Sequence, residues 1–182
     1  MMEENKLQTE GHIHSRYEDR EDILGEHKYG DIGQLIFLVL FFVLWGIDSF
    51  YLKFSTILTD YIPIYVSAPI GVIFIILAFY ISFKGLRQIF RDVRESPEVI
   101  RDGIFRYTRH PVYFGVILLY LGLSIITLSL VSLGLLVIIV FFYDFIASYE
   151  EKLLTEYFDK DYEQYKEDVS KWVPVPRSGK DR

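Results

Sequence analysis

Three stretches of hydrocarbon decide what this chain can fold into. Residues 33–52 (GQLIFLVLFFVLWGIDSFYL) hold one acid, residues 64–83 hold no charge, and residues 111–147 carry Asp144 alone. Inside a bilayer the backbone has no water to bond to, so such runs cross as helices, at about 20 residues per crossing. The expectation is an all-α, polytopic integral membrane protein with four to five transmembrane helices.

The runs differ in length, and the lengths carry information. The second continues its helical pattern through KGLRQIFRDVR, with Leu86, Ile89, Phe90 and Val93 on one side. As one helix to Arg94 it measures about 45 Å at 1.5 Å per residue, more than the hydrocarbon core, so its end protrudes or tilts. The third run is too long for one crossing. TLSLVSLG (127–134) is the natural turn, which predicts a helical hairpin over about 111–148 with spans near 111–128 and 131–148. Both are slightly short, so thinning or tilt is expected. Beyond it Leu154, Phe158, Tyr162, Tyr165, Val169 and Trp172 recur at helical steps opposite a charged face. That predicts a C-terminal amphipathic helix that follows the last span directly and lies along the interface or folds back over the cytoplasmic helix ends.

Charge orients the chain. Eighteen of the nineteen Lys and Arg residues fall before residue 33, between 84 and 110, or after 148; Lys53 stands alone on the other side. With four spans this places both termini, and any site near residues 84–110, in the cytoplasm. It suits a cell membrane in a prokaryote and the endoplasmic reticulum in a eukaryote. The chain divides into an acidic arm (1–32), two spans (33–83), a C-terminal region (84–174) and a polar tail (175–182). The arm holds nine acids and no apolar core of a secretory signal, and its His12 and His14 read as part of a polar tail. Cysteine is absent, which removes disulfides, thiolate metal sites and cysteine nucleophiles. A net charge of −6 gives no basic excess for nucleic acid.

Arg101, Arg106, Arg109 and His110 crowd against the start of the third run. Two readings stand open: they set topology, or they build chemistry. Pro111 suits the first turn of a helix, so Arg109 and His110 stand at a helix N-terminus, where free N–H groups and the dipole attract an anion. Tyr113 and Gly115 follow. Gly115 either admits a flat ligand close to the backbone or makes a small-residue helix contact. The hairpin returns Glu150 and Glu151 to the depth of Arg109 and His110, beneath the amphipathic segment. Asp48 and Asp144 are ionisable residues within spans. Asp48 reads as structural packing; Asp144 shares a face with Ser148 and Glu151 and reads as support for the pocket.

Val99, Gly103, Phe105, RHPVYFG (109–115), EEKLL (150–154), YFDKDYEQY and VSKWVP together resemble the isoprenylcysteine carboxyl methyltransferase family, within a broader group that includes phospholipid N-methyltransferases. The resemblance covers roughly residues 84–174. It implies S-adenosyl-L-methionine as methyl donor and a lipophilic acceptor entering from the membrane among bilayer lipids, most directly the C-terminal carboxylate of an isoprenylated cysteine. No metal and no nucleic acid are implied. It assigns the donor to Val99, Ile100, Phe105, His110, Pro111, Val112, Tyr113, Gly115, Glu150 and Glu151. The helix start at His110–Pro111 suits the donor's carboxylate, Glu150 its ammonium or ribose, and Phe105 and Tyr113 its adenine or sulfonium. Arg109 is the candidate catalytic residue, orienting the acceptor.

Relatives often carry an arginine four residues before the first Glu of the pair, where this chain has Ile146. That departure keeps a phospholipid or other lipid amine open as acceptor. Two other classes compete. A nicotinamide-dependent membrane reductase would use the arginines for a pyrophosphate, against repulsion from Glu150 and Glu151. A non-catalytic scaffold would use them only for orientation, so that lysine would serve equally well.

Overall fold

The computed structural model describes residues 30–91 and 98–173. The acidic arm with His12 and His14, Val93 and Arg94, Pro174 and the tail 175–182 lie outside the described residues. Among the described residues five α-helices follow in order: α1 (Gly30–Gly46), α2 (Ile64–Arg91), α3 (Pro111–Thr127), α4 (Leu130–Phe158) and α5 (Lys160–Asp168). A π-helical turn (Ile47–Leu52) extends α1, and short 3-10 turns occupy Ile57–Asp60 and Gly103–Arg106. No strand occurs among the described residues.

The protein is an all-helical integral membrane protein, as the apolar runs require. Gly30–Leu52, Ile64–Phe90 and Leu130–Phe158 are each long and apolar enough to cross a membrane. α3 is a shorter apolar helix of 17 residues, about 25 Å long. Large apolar side chains such as Leu35, Phe79, Phe83, Phe141 and Phe145 stand exposed around the bundle, where lipid would cover them.

α2 and α3 pack antiparallel through a stripe of small residues. Gly71, Ala78 and Gly85 recur every seven residues on α2, facing Gly115 and Gly122 on α3. A Cβ on Gly122 would stand 2.7 Å from the Gly71 carbonyl oxygen, and one on Gly115 would stand 2.8 Å from that of Ala78. Close backbone approach of this kind is how helices associate where lipid is as apolar as the side chains. α2 outruns its shorter partner, as its length requires. Past the contact of Gly85 with Pro111, Gln88 donates to the Asp102 carbonyl at 2.7 Å and accepts from the Ile104 N–H at 3.3 Å, which holds the Gly103–Arg106 turn against the helix end.

α1, α3 and α4 share the core: Phe41, Tyr120, Leu135, Leu136, Ile139 and Tyr143 are buried together. At one end of this core the α3–α4 hairpin turns in two residues, with Leu128 left-handed (φ 51°) and Ser129 capping α4. This places the turn inside the stretch expected from sequence. Buried Asp48 organises it, accepting from the Ser55 N–H at 2.9 Å and from the Ser55 and Ser129 hydroxyls at 2.5 Å each.

Of the two placements expected for the C-terminal segment, it takes the second, folding back over the helix ends, and it does so in two helical pieces. α4 ends at Phe158, and Asp159 adopts φ 50°, ψ −126° before α5 begins. The bend keeps the periodic face on one side of the fold: Tyr162, Tyr165 and Val169 are buried against Leu154, Phe158 and Val99. A straight helix would have carried those tyrosines away from the bundle. Folding back buries them, which outweighs the local backbone strain of about 1–3 kcal/mol.

Candidate active site

At the other end of the core, α3 begins on Pro111 with His110 as its N-cap, and the His110 side chain makes no capping bond. The first-turn N–H groups of Val112 and Tyr113 have no i−4 partner, as at any helix start. Among the described residues no acceptor outside the helix meets them.

The imidazole turns instead to α4. Its Nε2 lies 3.0 Å from Glu151 Oε1, and its Nδ1 lies 3.6 Å from Glu150 Oε2. Tyr113 stacks parallel to the ring at 5.7 Å and donates its hydroxyl to Glu150. Trp172 covers the ring's surroundings from the C-terminal segment, 5.9 Å between centroids. Burial holds the His110 pKa below the ordinary imidazole value; Glu151 opposes the shift, and Lys171 and Arg109 add to it. That direction favours the neutral ring; with its proton on Nε2, where Glu151 would accept it, Nδ1 is left as an acceptor facing Glu150. Two acceptors thus converge on one point, an arrangement that suits a cationic N–H donor.

Arg109 faces the other way. Its Nε donates to Glu151 at 2.9 Å, and its Nη1 donates to the carbonyls of Lys166 and Val169 at 2.8 Å each. Its own N–H donates to the Ser170 carbonyl at 3.1 Å. The guanidinium fork pins the end of α5 to the start of α3, a geometry a lysine cannot copy.

The structure therefore brings Arg109, His110, Tyr113, Glu150 and Glu151 into one enclosed cluster. The other sequence-predicted residues lie around it. Val99 packs beneath Tyr162, Tyr165 and Val169, and Ile100 beside it is half-buried. Phe105 accepts the Tyr165 hydroxyl on its carbonyl at 2.7 Å. Pro111 and Val112 lie against Gly85, and Gly115 meets Ser82 and Ala78, so the side-chain space at all three is taken by α2. Arg101 pairs with Asp161 on the surface, and Arg106 is exposed.

Sequence reasoning missed how the segment after α5 joins the site. Thr108, buried, donates to the Lys171 carbonyl at 2.9 Å. Asp144 takes Lys171 Nζ at 2.6 Å and Trp172 Nε1 at 3.0 Å. A charged residue within an apolar run, with Lys-Trp beyond the helix, was the available signal. Pairing them required the bend at Asp159.

The profile of the phospholipid methyltransferase family matches residues 66–161, from early α2 to the start of α5. The protein-S-isoprenylcysteine O-methyltransferase of Saccharomyces cerevisiae is 30% identical over 101 residues, 54% of this chain and 42% of that one. The protein of the same name from Schizosaccharomyces pombe is 28% identical over 134 residues, 68% of this chain and 56% of that one. The chain thus spans about half the length of these relatives. The family profile covers just over half of the chain, including α2, α3 and α4 and every residue of the His110–Glu151 cluster, and on that ground the chain belongs to the phospholipid methyltransferase family.

Proposed function

We propose that this protein is a membrane methyltransferase that takes its methyl group from S-adenosyl-L-methionine and passes it to a lipophilic acceptor. The observation that carries the reading is the convergence of Glu150, the His110 Nδ1 lone pair and the Tyr113 hydroxyl beside a helix N-terminus. The donor set fits that molecule's amino-acid end. The two converging acceptors match an ammonium, and the first-turn N–H groups match a carboxylate. Such a donor supplies a methyl group made electrophilic by a sulfonium.

The chain's own residues do the rest by binding and placement. Glu150 and His110 hold the cationic end; Tyr113 fixes Glu150 and presents a ring face. Glu151 holds His110 in the Nε2–H tautomer and is itself held by Arg109. α5 and the segment after it exclude water, which favours a reaction that consumes separated charges. In this reading Arg109 positions the site through Glu151 and the C-terminal segment, rather than touching the acceptor.

The names of the two yeast relatives support the C-terminal carboxylate of an isoprenylated cysteine as the first candidate acceptor. One observation favours a second. Ile146, one helical turn before Glu150, is buried at 2% exposure, so no charge at that position is available to a carboxylate. A neutral lipid amine needs none. The site faces the cytoplasm, by the distribution of Lys and Arg.

Calorimetric titration of the detergent-purified protein with S-adenosylhomocysteine, with NADPH as comparator, tests the donor. Micromolar binding that is lost in Glu150→Ala and His110→Ala supports the reading. Binding of NADPH alone favours a reductase. Transfer of radiolabelled methyl to a prenylcysteine against a phosphatidylethanolamine then separates the two acceptors.

A further inference from the structure

The Glu150 and Glu151 side chains are 16% and 13% exposed, and that of His110 is 7% exposed. A nucleotide-sized ligand cannot reach them without movement. The candidates for movement differ in how they are held. α2 and α3 interlock backbone to backbone through their glycines. α5 is anchored by Tyr162, Tyr165 and Val169 and by the buried guanidinium of Arg109.

Residues 170–173 carry a single apolar anchor, Trp172, which packs at the edge of the α1–α3–α4 core and is only partly buried. They run out past the end of α5, which is capped by extended Val169. They are held by two backbone-directed bonds, Arg109 N–H to Ser170 and the Thr108 hydroxyl to Lys171, and by side chains that meet at Asp144. Lys171 Nζ reaches the Asp144 carboxylate at 2.6 Å, the Asp144 carbonyl at 3.1 Å and Ser148 Oγ at 2.7 Å. Trp172 Nε1 shares the same carboxylate at 3.0 Å, and the indole lies beside His110. Half of the Asp144 side chain (49%) is left uncovered by protein, so this ion pair stands at the rim of the fold and not inside it.

We propose that residues 170–173 form a strap whose Trp172 plugs the entrance to the His110–Glu150 site, latched shut by Asp144 through Lys171 and the indole N–H. The strap peels from Asp144 to admit or release the ligand while α5 stays docked. The ligand gated here is the donor of the proposed function, so the inference rests on that reading.

The chain has no cysteine and two tryptophans, which makes the test clean. Ser148→Cys with Lys171→Cys, bridged by a short bis-methanethiosulfonate reagent, ties the strap down and is released by reductant. S-adenosylhomocysteine association should slow about tenfold or more when bridged and recover on reduction. Asp144→Asn should raise both association and dissociation rates roughly two- to fivefold, the size of an exposed ion pair. High salt should do the same to wild type and nothing further to the variant. A readout free of ligand accompanies these. With Trp45→Phe as background, Trp172 fluorescence should become more quenchable by acrylamide in Asp144→Asn and on adding salt.

Equal association rates in bridged and reduced protein would overturn the strap while leaving the donor reading intact, as would unchanged quenching in Asp144→Asn. Failure of every form, wild type included, to bind S-adenosylhomocysteine would overturn the donor reading and this gating role with it.

Discussion

α3 and α4 are the two arms of one hairpin, and their N-termini lie at its opposite ends, finished in opposite ways. At Leu130 the first turn is fully served. The Leu130 N–H goes to the Ser55 carbonyl at 3.3 Å, that of Val131 to Ser55 Oγ at 2.9 Å, and that of Ser132 to Ser129 Oγ at 3.1 Å. Asp48 sits behind the two hydroxyls, a negative charge at the positive end of a helix, with neutral donors on its oxygens. At Pro111 the N-cap side chain is turned away, one N–H is replaced by a proline ring, and the acids opposite belong to another helix. A helix start that satisfies itself is structure. One that leaves its first turn to something else, with carboxylates, an imidazole and aromatic rings around it, is equipped for a ligand.

That contrast can be broken by substitution at each end. The largest effect on stability is expected at the Leu130 end. Asp48→Ala strands two buried hydroxyls and an N–H, and should cost about 3 kcal/mol, read as a lower melting temperature in detergent. S-adenosylhomocysteine affinity of the folded fraction should be unchanged. A large affinity loss there would show that the two ends are not separable.

Next comes the reverse experiment. Glu150→Gln keeps the shape and removes the charge. Affinity for S-adenosylhomocysteine should fall about a hundredfold, about 2.7 kcal/mol, with little change in melting. Wild-type affinity in this variant would remove Glu150 from the site.

Arg109→Lys sharpens the comparison between a scaffold and a site. The guanidinium serves three acceptors on two other elements, so the lysine variant should lose about 1–2 kcal/mol and release the end of α5 to faster amide exchange. Exposed Arg106→Lys should change stability by about 0.5 kcal/mol or less. If both exchanges were silent, the arginines would only orient the helices.

A modest effect is expected with pH. Because burial lowers the folded-state pKa of His110, the unfolded chain takes up the proton first as pH falls. Stability should be flat above about pH 7 and decline below about 6.5, by at most about 1.4 kcal/mol per pH unit for this one group. Melting temperature followed from pH 8 to 5.5 in wild type and His110→Gln isolates the contribution. The slope should be shallower in the variant.

The apolar runs, the proline opening α3, the acid pair in the last third of α4 and the aromatic periodicity after it are local patterns, and each was legible. The break at Asp159 was not, because a helical repeat of side chains looks the same on one straight helix and on two folded ones. Asp48 was legible as an ionisable residue near a span end. Its partners Ser55 and Ser129 were not, since they lie 7 and 81 residues away. Gly115 was readable as either a ligand approach or a helix contact; that Ser82 and Ala78 of α2 lie against it was not readable.

By itself, then, the sequence determined that the chain crosses a membrane as helices, because hydrocarbon leaves the backbone no other way to satisfy its hydrogen bonds. It also determined which residue types flank the apolar runs. The tertiary structure alone decided which of them meet. The glycine stripe of α2 sets the depth of α3, the bend at Asp159 turns the tail back over the site, and these two placements bring His110 to Glu150, Arg109 to Val169 and Trp172 to Asp144. Contacts between residues tens of positions apart depend on helix length and backbone approach, and neither is written in any single motif.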